Sequence, residues 1–180
     1  MRIGVMIMAM LWTLLGSAQS IAVSDSVTVQ DSLTHGQSVA VQSVVVADDF
    51  TVMIAEEQTM KFYDLPKGRL TILVFFDPDC GACRQALFSL KHSSLVNQLI
   101  KEEVLQVMVV HVGYEERLWR NMLDDMPKTW LKATTTVEML DGKCYDLSSM
   151  PALYLLDADR KIMMQSSYAK NLIEVLYKLW

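Results

Sequence analysis

The sequence predicts an α/β fold in which a central mixed β-sheet carries helices on both faces. Two nearly unbroken apolar runs, residues 70–76 and 105–112, are typical of strands that are buried on both sides of a sheet. Segments with apolar residues at helical spacing follow each run, and strands that alternate with helices imply a layered α/β sheet. Two further apolar segments, 152–156 and 161–164, flank a polar turn. They predict an antiparallel hairpin, which makes the sheet mixed.

The first eighteen residues have the pattern of a secretory signal peptide. Arg2 precedes an uncharged apolar run, residues 3–15, and the small residues 16–18 follow it. Thirteen residues rise only about 20 Å as a helix, less than the roughly 30 Å core of a bilayer. A retained membrane anchor would need the run to continue through residues 21–23, but two polar residues interrupt it. We therefore predict cleavage after Ala18 and a periplasmic or secreted location.

The remaining chain divides into a tether and one domain. Residues 19–47 are rich in Ser, Val, Gln and Thr, with no proline or aromatic residue, and predict a flexible or extended segment. Residues 48–180 are long enough to bury a substantial core without disulfide staples. The chain is 52% apolar and has a formal net charge of −5. These values argue against disorder and against nucleic acid as a partner.

Within the domain, the elements are predicted in order along the chain. Residues 50–54 and 60–63 flank a polar turn and predict an N-terminal β-hairpin. The buried run that follows ends at Asp77-Pro78, because proline cannot donate a hydrogen bond to the sheet. One helix is then expected over residues 81–100, where leucines recur at helical spacing. It contains no proline, so we expect it to be straight.

The second half of the domain is less regular. A short helix is expected over residues 115–123, stopped near Pro127. A strand around Trp130-Leu131 and a further short helix are expected within residues 129–147. A terminal helix over residues 169–179 directs apolar side chains inward. Those side chains are Leu172, Val175, Leu176 and Leu179.

Two cysteines stand where the first buried strand becomes a helix. Cys80 and Cys83 enclose only Gly81 and Ala82, which leave the first sulfur accessible. A helix N-terminus presents unpaired N–H groups and about half a positive charge, which stabilise a thiolate. The thiolate is the nucleophile of disulfide exchange. Because three-residue spacing brings Cys83 beneath Cys80, we predict a redox pair with Cys80 exposed and Cys83 buried.

Other uses of this pair fit the sequence less well. A structural zinc site needs four ligands, so Cys144 would have to converge on the pair with His92 or His111. A c-type haem attachment needs histidine after the second cysteine, where Arg84 stands. An inert structural disulfide remains an alternative in an oxidising compartment. The sequence indicates no cofactor, predicts Cys144 as a packed core thiol and assigns the histidines no role.

The residues around the pair resemble a known family. Residues 74–84, Val-Phe-Phe-Asp-Pro-Asp-Cys-Gly-Ala-Cys-Arg, resemble the active-site segment of the thioredoxin superfamily. Residues 149–157 resemble the cis-proline loop of that family and the strand that follows it. Asp49-Phe50, the hairpin and Asp64-Leu65 resemble the secreted TlpA/ResA-like branch of thiol-disulfide oxidoreductases. The resemblance spans about residues 48–180 and implies a thioredoxin-like fold with an added N-terminal hairpin.

The resemblance also implies roles for particular residues. Cys80 would be the nucleophile, Cys83 the resolving thiol and Pro151 a cis-proline beside them. Met150 would offer backbone hydrogen bonds to an extended substrate, a form of strand addition. The implied function is extracytoplasmic disulfide exchange with protein thiols or disulfides, as a reductase fed by a membrane-linked electron donor. The alternative is a non-catalytic peptide-binding module in which the two cysteines form a structural disulfide.

Two departures from the family pattern concern the chemistry of the pair. The family often has tryptophan before the first cysteine, whereas this chain has Asp79, whose charge opposes thiolate formation. Many thioredoxins carry a buried polar residue six positions before that cysteine, and Val74 stands there. Deprotonation of Cys83 then needs water or another base. Glu56 or Glu57 would serve if the hairpin folds over the site.

Overall fold

The computed structural model describes most of the predicted domain. It covers residues 44–54, 58–113 and 116–180, with the backbone alone for residues 116–119. Several predictions lie outside these ranges: the signal peptide 1–18, residues 19–43 of the tether, and the candidate bases Glu56 and Glu57. Within the described ranges, no helix has the length and apolar character needed to cross a membrane.

The described residues form seven strands, five α-helices and one short 3₁₀ helix. The strands are β1 Thr51–Ile54, β2 Gln58–Lys61, β3 Leu70–Phe76, β4 Leu105–Val112, β5 Leu131–Thr135, β6 Ala152–Leu156 and β7 Ile162–Ser166. The helices are α1 Gly81–Lys91, α2 Ser94–Lys101, α3 Glu116–Leu123, α4 Val137–Leu140 and α5 Ala169–Leu179. The 3₁₀ helix is Phe62–Asp64.

All seven strands join one mixed sheet, as the sequence predicts. Their order is β2-β1-β5-β4-β3-β6-β7. The pairs β3–β4 and β4–β5 are parallel, and every other pair is antiparallel. The central strands β3 and β4 run in register from Leu70 opposite Leu105 to Phe76 opposite His111. Their carboxyl ends therefore meet at one edge of the sheet, where α/β proteins place their sites.

The two faces of the sheet are covered unequally. Ile72, Val74 and Phe76 of β3 point to the face on which α1, α2 and α5 pack, which we call the helical face. Leu73 and Phe75 point to the other, aromatic face. Among the residues that the structure describes, only α4 and the 3₁₀ helix contribute helical residues to that face, and five aromatic rings lie in its core. The buried rings there are Phe50, Phe62, Phe75, Tyr145 and Tyr154.

The prediction of one straight helix over residues 81–100 is wrong. The segment is broken between α1 and α2, and His92 and Ser93 lie at the break. The Ser93 hydroxyl accepts a hydrogen bond from the Val96 N–H at 3.3 Å and so caps α2. Serine competes for backbone hydrogen bonds and favours such caps, which explains a break without proline.

Two smaller predictions are also wrong. The second strand of the N-terminal hairpin ends at Lys61, and the next residues form the 3₁₀ helix rather than extended structure. Leu179 does not point inward, since it is 51% exposed. Leu172 and Leu176 are buried as expected, but residues 177–179 at the end of α5 are exposed.

The segment before β1 pairs with the start of β7. The Ala47 N–H donates to the Arg160 carbonyl at 2.8 Å, and the Ile162 N–H donates to the Val45 carbonyl at 2.8 Å. Between these bonds, Val46 lies opposite Lys161 as an antiparallel bridge. Ala47 is fully buried. Residues 45–47 are therefore a short extra extended segment along the outer side of β7.

Candidate active site around Cys80 and Cys83

A tight turn carries the chain from β3 into α1. The Asp79 N–H donates to Oδ1 of Asp77 at 2.8 Å, and the Cys80 N–H donates to the Asp77 carbonyl at 3.1 Å. Arg84 closes the turn from the helix side, because its Nη1 donates to the Pro78 carbonyl at 2.8 Å. These bonds fix Cys80 as the residue that caps α1 at the carboxyl edge of the sheet.

The sulfur of Cys80 occupies the capping position itself. Cys80 has an extended backbone conformation, and its Sγ accepts a hydrogen bond from the Cys83 N–H at 3.1 Å. Cys80 is partly exposed, whereas Cys83 is fully buried. A hydrogen-bond donor and the positive end of the helix both face the Cys80 sulfur.

Cys83 has the opposite environment. Burial raises the pKa of its thiol to about 12, and the Cys80 sulfur and the Asp77 carboxylate act in the same direction. A backbone hydrogen bond at Asp77 offsets only part of this effect. Cys83 is therefore protonated at neutral pH. It must lose a proton before it can attack a disulfide.

The loop before β6 lies beside the first sulfur. The Met150–Pro151 peptide bond is cis, and the Met150 carbonyl accepts a hydrogen bond from the Cys80 Sγ at 3.5 Å. The loop is held there by the pairing of β6 with β3, which begins with Ala152 opposite Phe75. Pro151 is buried and Met150 is partly exposed. The structure thus brings together all four predicted site residues.

Cys144 packs on the face of the sheet opposite the one on which Cys83 packs. It packs against the core of the aromatic face, and its Sγ accepts a hydrogen bond from the Asp48 N–H at 3.3 Å. Burial and the Asp48 carboxylate raise the pKa of the Cys144 thiol. Among the residues that the structure describes, no three His, Cys, Asp or Glu side chains are grouped to hold a metal ion.

One residue near the site has no predicted role. His111 is 2% exposed and lies at the end of β4, directly opposite Phe76 in the parallel ladder. The two rings have centroids 6.1 Å apart. The sequence feature that could have drawn attention to His111 is that it is the one titratable residue within the apolar run 105–112. Its significance depends on which strand lies next to β3, which the sequence does not specify.

Comparison with known proteins points to one fold. No family model and no curated protein sequence matches the chain. A solved thioredoxin-like protein from Bacteroides caccae matches with 28% identity and a TM-score of 0.68, over 75% of this chain and 49% of that protein. The chain thus spans about half the length of that relative.

Two further structures match over nearly their full length. The C-terminal domain of a Bacteroides fragilis protein has 25% identity and a TM-score of 0.66, over 73% of this chain and 94% of that domain. The thioredoxin domain of a Bacteroides vulgatus thiol-disulfide oxidoreductase has 18% identity and a TM-score of 0.64, over 78% and 99%. The fold is therefore thioredoxin-like. This is the fold of the thioredoxin superfamily, which the sequence also resembles.

Proposed function

We propose that the chain is a thiol-disulfide oxidoreductase in which Cys80 is the nucleophile and Cys83 the resolving thiol. One observation carries the proposal: the accessible Cys80 sulfur caps α1 and accepts the N–H of Cys83, which is buried one helical turn away. Similar solved structures include a protein named a thiol-disulfide oxidoreductase, which agrees with this chemistry. The TlpA/ResA-like branch is the part of the superfamily that we infer.

The reaction proceeds in two exchanges. The Cys80 thiolate attacks one sulfur of a substrate disulfide, a Cys80–substrate disulfide forms, and the other substrate sulfur leaves as a thiolate. Cys83 then loses its proton and attacks the Cys80 sulfur, which releases the second substrate thiolate. The substrate gains two electrons, and the protein ends with a Cys80–Cys83 disulfide. A dithiol donor, which we propose to be membrane-linked, restores the reduced pair.

Met150 and Pro151 are the proposed substrate-binding residues. The Met150 carbonyl lies 3.5 Å from the Cys80 Sγ, so an extended chain that pairs with this loop would have its cysteine next to the nucleophile. Backbone pairing imposes little sequence preference. It therefore suits an enzyme that acts on protein thiols or disulfides of differing sequence.

We also propose that the protein acts outside the cytoplasm, after removal of residues 1–18, and in the reducing direction. The equilibrium reduction potential of the Cys80–Cys83 pair tests the direction. We expect a value close to that of thioredoxin, about −270 mV, rather than the roughly −120 mV of a strong oxidant. The pair would be equilibrated with glutathione or dithiothreitol buffers and quantified by thiol trapping. A potential near the oxidant value would contradict the reductase role.

The unequal exposure of the two sulfurs predicts selective alkylation. With limiting iodoacetamide at neutral pH, the reduced protein should be modified at Cys80 well before Cys83, because Cys83 is buried and protonated. Peptide mass spectrometry would identify the modified site, and Cys80→Ser provides the matched control. Faster modification of Cys83 than of Cys80 would contradict the assigned roles.

A further inference from the structure

We propose that His111 accepts the proton that the Cys83 thiol gives up when Cys83 resolves the mixed disulfide. The inference rests on the proposed function, because it concerns the second of the two exchanges. It assigns a task to a buried titratable side chain that the first exchange does not use.

The need for such a base follows from the surroundings of Cys83. Its thiol is fully buried and remains protonated at neutral pH. Val74, the β3 residue six positions before Cys80, is apolar and fully buried, so it offers no proton acceptor. Resolution therefore needs water or another base, and a base on the helical face, where Cys83 packs, would be on the correct side of the sheet.

The alternation of β4 places His111 on that face. Leu105, Val107 and Val109 pack in the same core as Cys83, and successive odd-numbered residues of a strand point to one side. His111 continues this series at the carboxyl end of β4. It lies opposite Phe76, the last residue of β3 before the turn that carries Cys80. The ring centroids of His111 and Phe76 are 6.1 Å apart, so the imidazole packs beside the last residue of β3.

The other buried polar side chains are poor candidates. In the described part of the chain, four polar side chains are buried: Thr71, His111, Thr135 and Arg160. Threonine does not titrate near neutral pH, and the Arg160 guanidinium, which donates to the carbonyls of Tyr63 and Leu65, stays protonated. Histidine is the residue type that exchanges a proton near neutral pH.

The carboxylate of Asp77 is the competing candidate. It acts on Cys83 electrostatically, and its negative charge disfavours the Cys83 thiolate. Asp77 is exposed, and its Oδ1 already accepts the Asp79 N–H. A carboxylate is also a weaker base than imidazole and matches a thiol proton less well at neutral pH. These properties favour His111.

The proton and electron balance of the step is complete. The Cys83 thiol passes its proton to His111, and the sulfur attacks the Cys80 sulfur. The Cys80–Cys83 bond forms as the Cys80–substrate bond breaks, and the substrate leaves as a thiolate. The imidazolium then returns the proton to that thiolate or to water, so no further oxidant or reductant is needed.

An aromatic disulfide separates the two exchanges in one experiment. In a Cys144→Ser background, which removes the third free thiol, reduced protein mixed with one equivalent of 5,5′-dithiobis(2-nitrobenzoate) should release one coloured thiolate when Cys80 attacks and a second when Cys83 resolves. In His111→Gln, we expect an unchanged first release and a second release slowed by about 10²-fold or more, the usual contribution of general-base catalysis. Added imidazole should accelerate the second release in His111→Ala but not in the parent.

Two control variants distinguish a base from a structural side chain. Val110→Ala removes a buried side chain from the same strand on the aromatic face, and it should leave the ratio of the two rates unchanged. Asp77→Asn should leave the second release as fast as in the parent or faster, because a negative charge near Cys83 is removed. If Asp77→Asn instead slows that release as much as His111→Gln, Asp77 is the base and the inference is wrong.

The remaining outcomes are equally decisive. A folded His111→Gln with a second release within twofold of the parent overturns the inference and leaves the proposed function intact. A parent that releases only one thiolate contradicts the proposed function itself. If the His111 variants do not fold, the ring ¹⁵N signals of His111 in the parent replace them. These should change between the dithiol and disulfide forms, and identical signals would overturn the inference.

Discussion

Replacing Cys83 with serine is expected to leave substrate proteins covalently attached to Cys80. The parent releases its substrate by intramolecular attack of Cys83, which is held one helical turn from Cys80. The effective molarity of well-placed groups reaches roughly 10⁵ M or more. A serine hydroxyl is a far weaker nucleophile at neutral pH, so the mixed disulfide should persist. Complexes recovered from the native compartment would be compared on gels with and without reductant.

Two other cysteine variants complete the trapping experiment. Cys80→Ser should trap nothing, because the attacking thiolate is gone. Cys83→Ser combined with Cys144→Ser should trap as well as Cys83→Ser alone, since Cys144 packs on the aromatic face. If every variant instead retains the same partners without a reducible bond, the chain is a peptide-binding module. The oxidoreductase proposal then fails.

Replacing Phe75 with alanine is expected to lower the free energy of unfolding by about 3–5 kcal/mol. Phe75 is fully buried at the centre of the aromatic face. Its ring centroid lies 5.6 Å from that of Phe50, 5.0 Å from that of Tyr145 and 6.1 Å from that of Tyr154. Alanine would leave a cavity that these rings fill poorly. Urea unfolding of the reduced parent and variant would measure the difference.

Phe88 provides a matched control for this substitution. It is the same residue type, but it is 57% exposed on α1 and contacts the His92 ring. Phe88→Ala should therefore change stability by only about 0.5 kcal/mol, as surface substitutions usually do. Equal effects of the two substitutions would show that the aromatic core contributes no special stability. Because Phe75 lies on the face opposite Cys83, alkylation of Cys80 should be unchanged while Phe75→Ala remains folded.

The sequence predicts well those parts of the fold whose pattern is contained within a short stretch of neighbouring residues. The strands β3 and β4 have the bounds expected from their apolar runs, because a strand buried on both faces needs apolar residues at nearly every position. The pair Cys80 and Cys83 is equally local, since its chemistry depends on one turn of helix after a strand. Both features are specified within about fifteen residues.

The features that the sequence does not specify depend on partners distant in the chain. His111 lies near the candidate site because β4 pairs with β3. The Cys144 N–H donates a hydrogen bond to the carboxylate of Asp48, which is 96 residues away in the sequence. The break at His92 and Ser93 is local, but the apolar spacing of residues 81–100 masks it. Spacing reports which face of a helix is buried. It does not report whether the helix is continuous.

The pairing of residues 45–47 with the start of β7 has a consequence for how the protein behaves in concentrated solution. An uncovered outer strand presents unpaired N–H and C=O groups that can template association with another chain. Val45 and Ala47 occupy part of that row through the bonds to Ile162 and Arg160. A shortened chain that begins at residue 48 would expose this row beside the half-apolar strand β7. We therefore expect the shortened chain to self-associate more readily than the full chain.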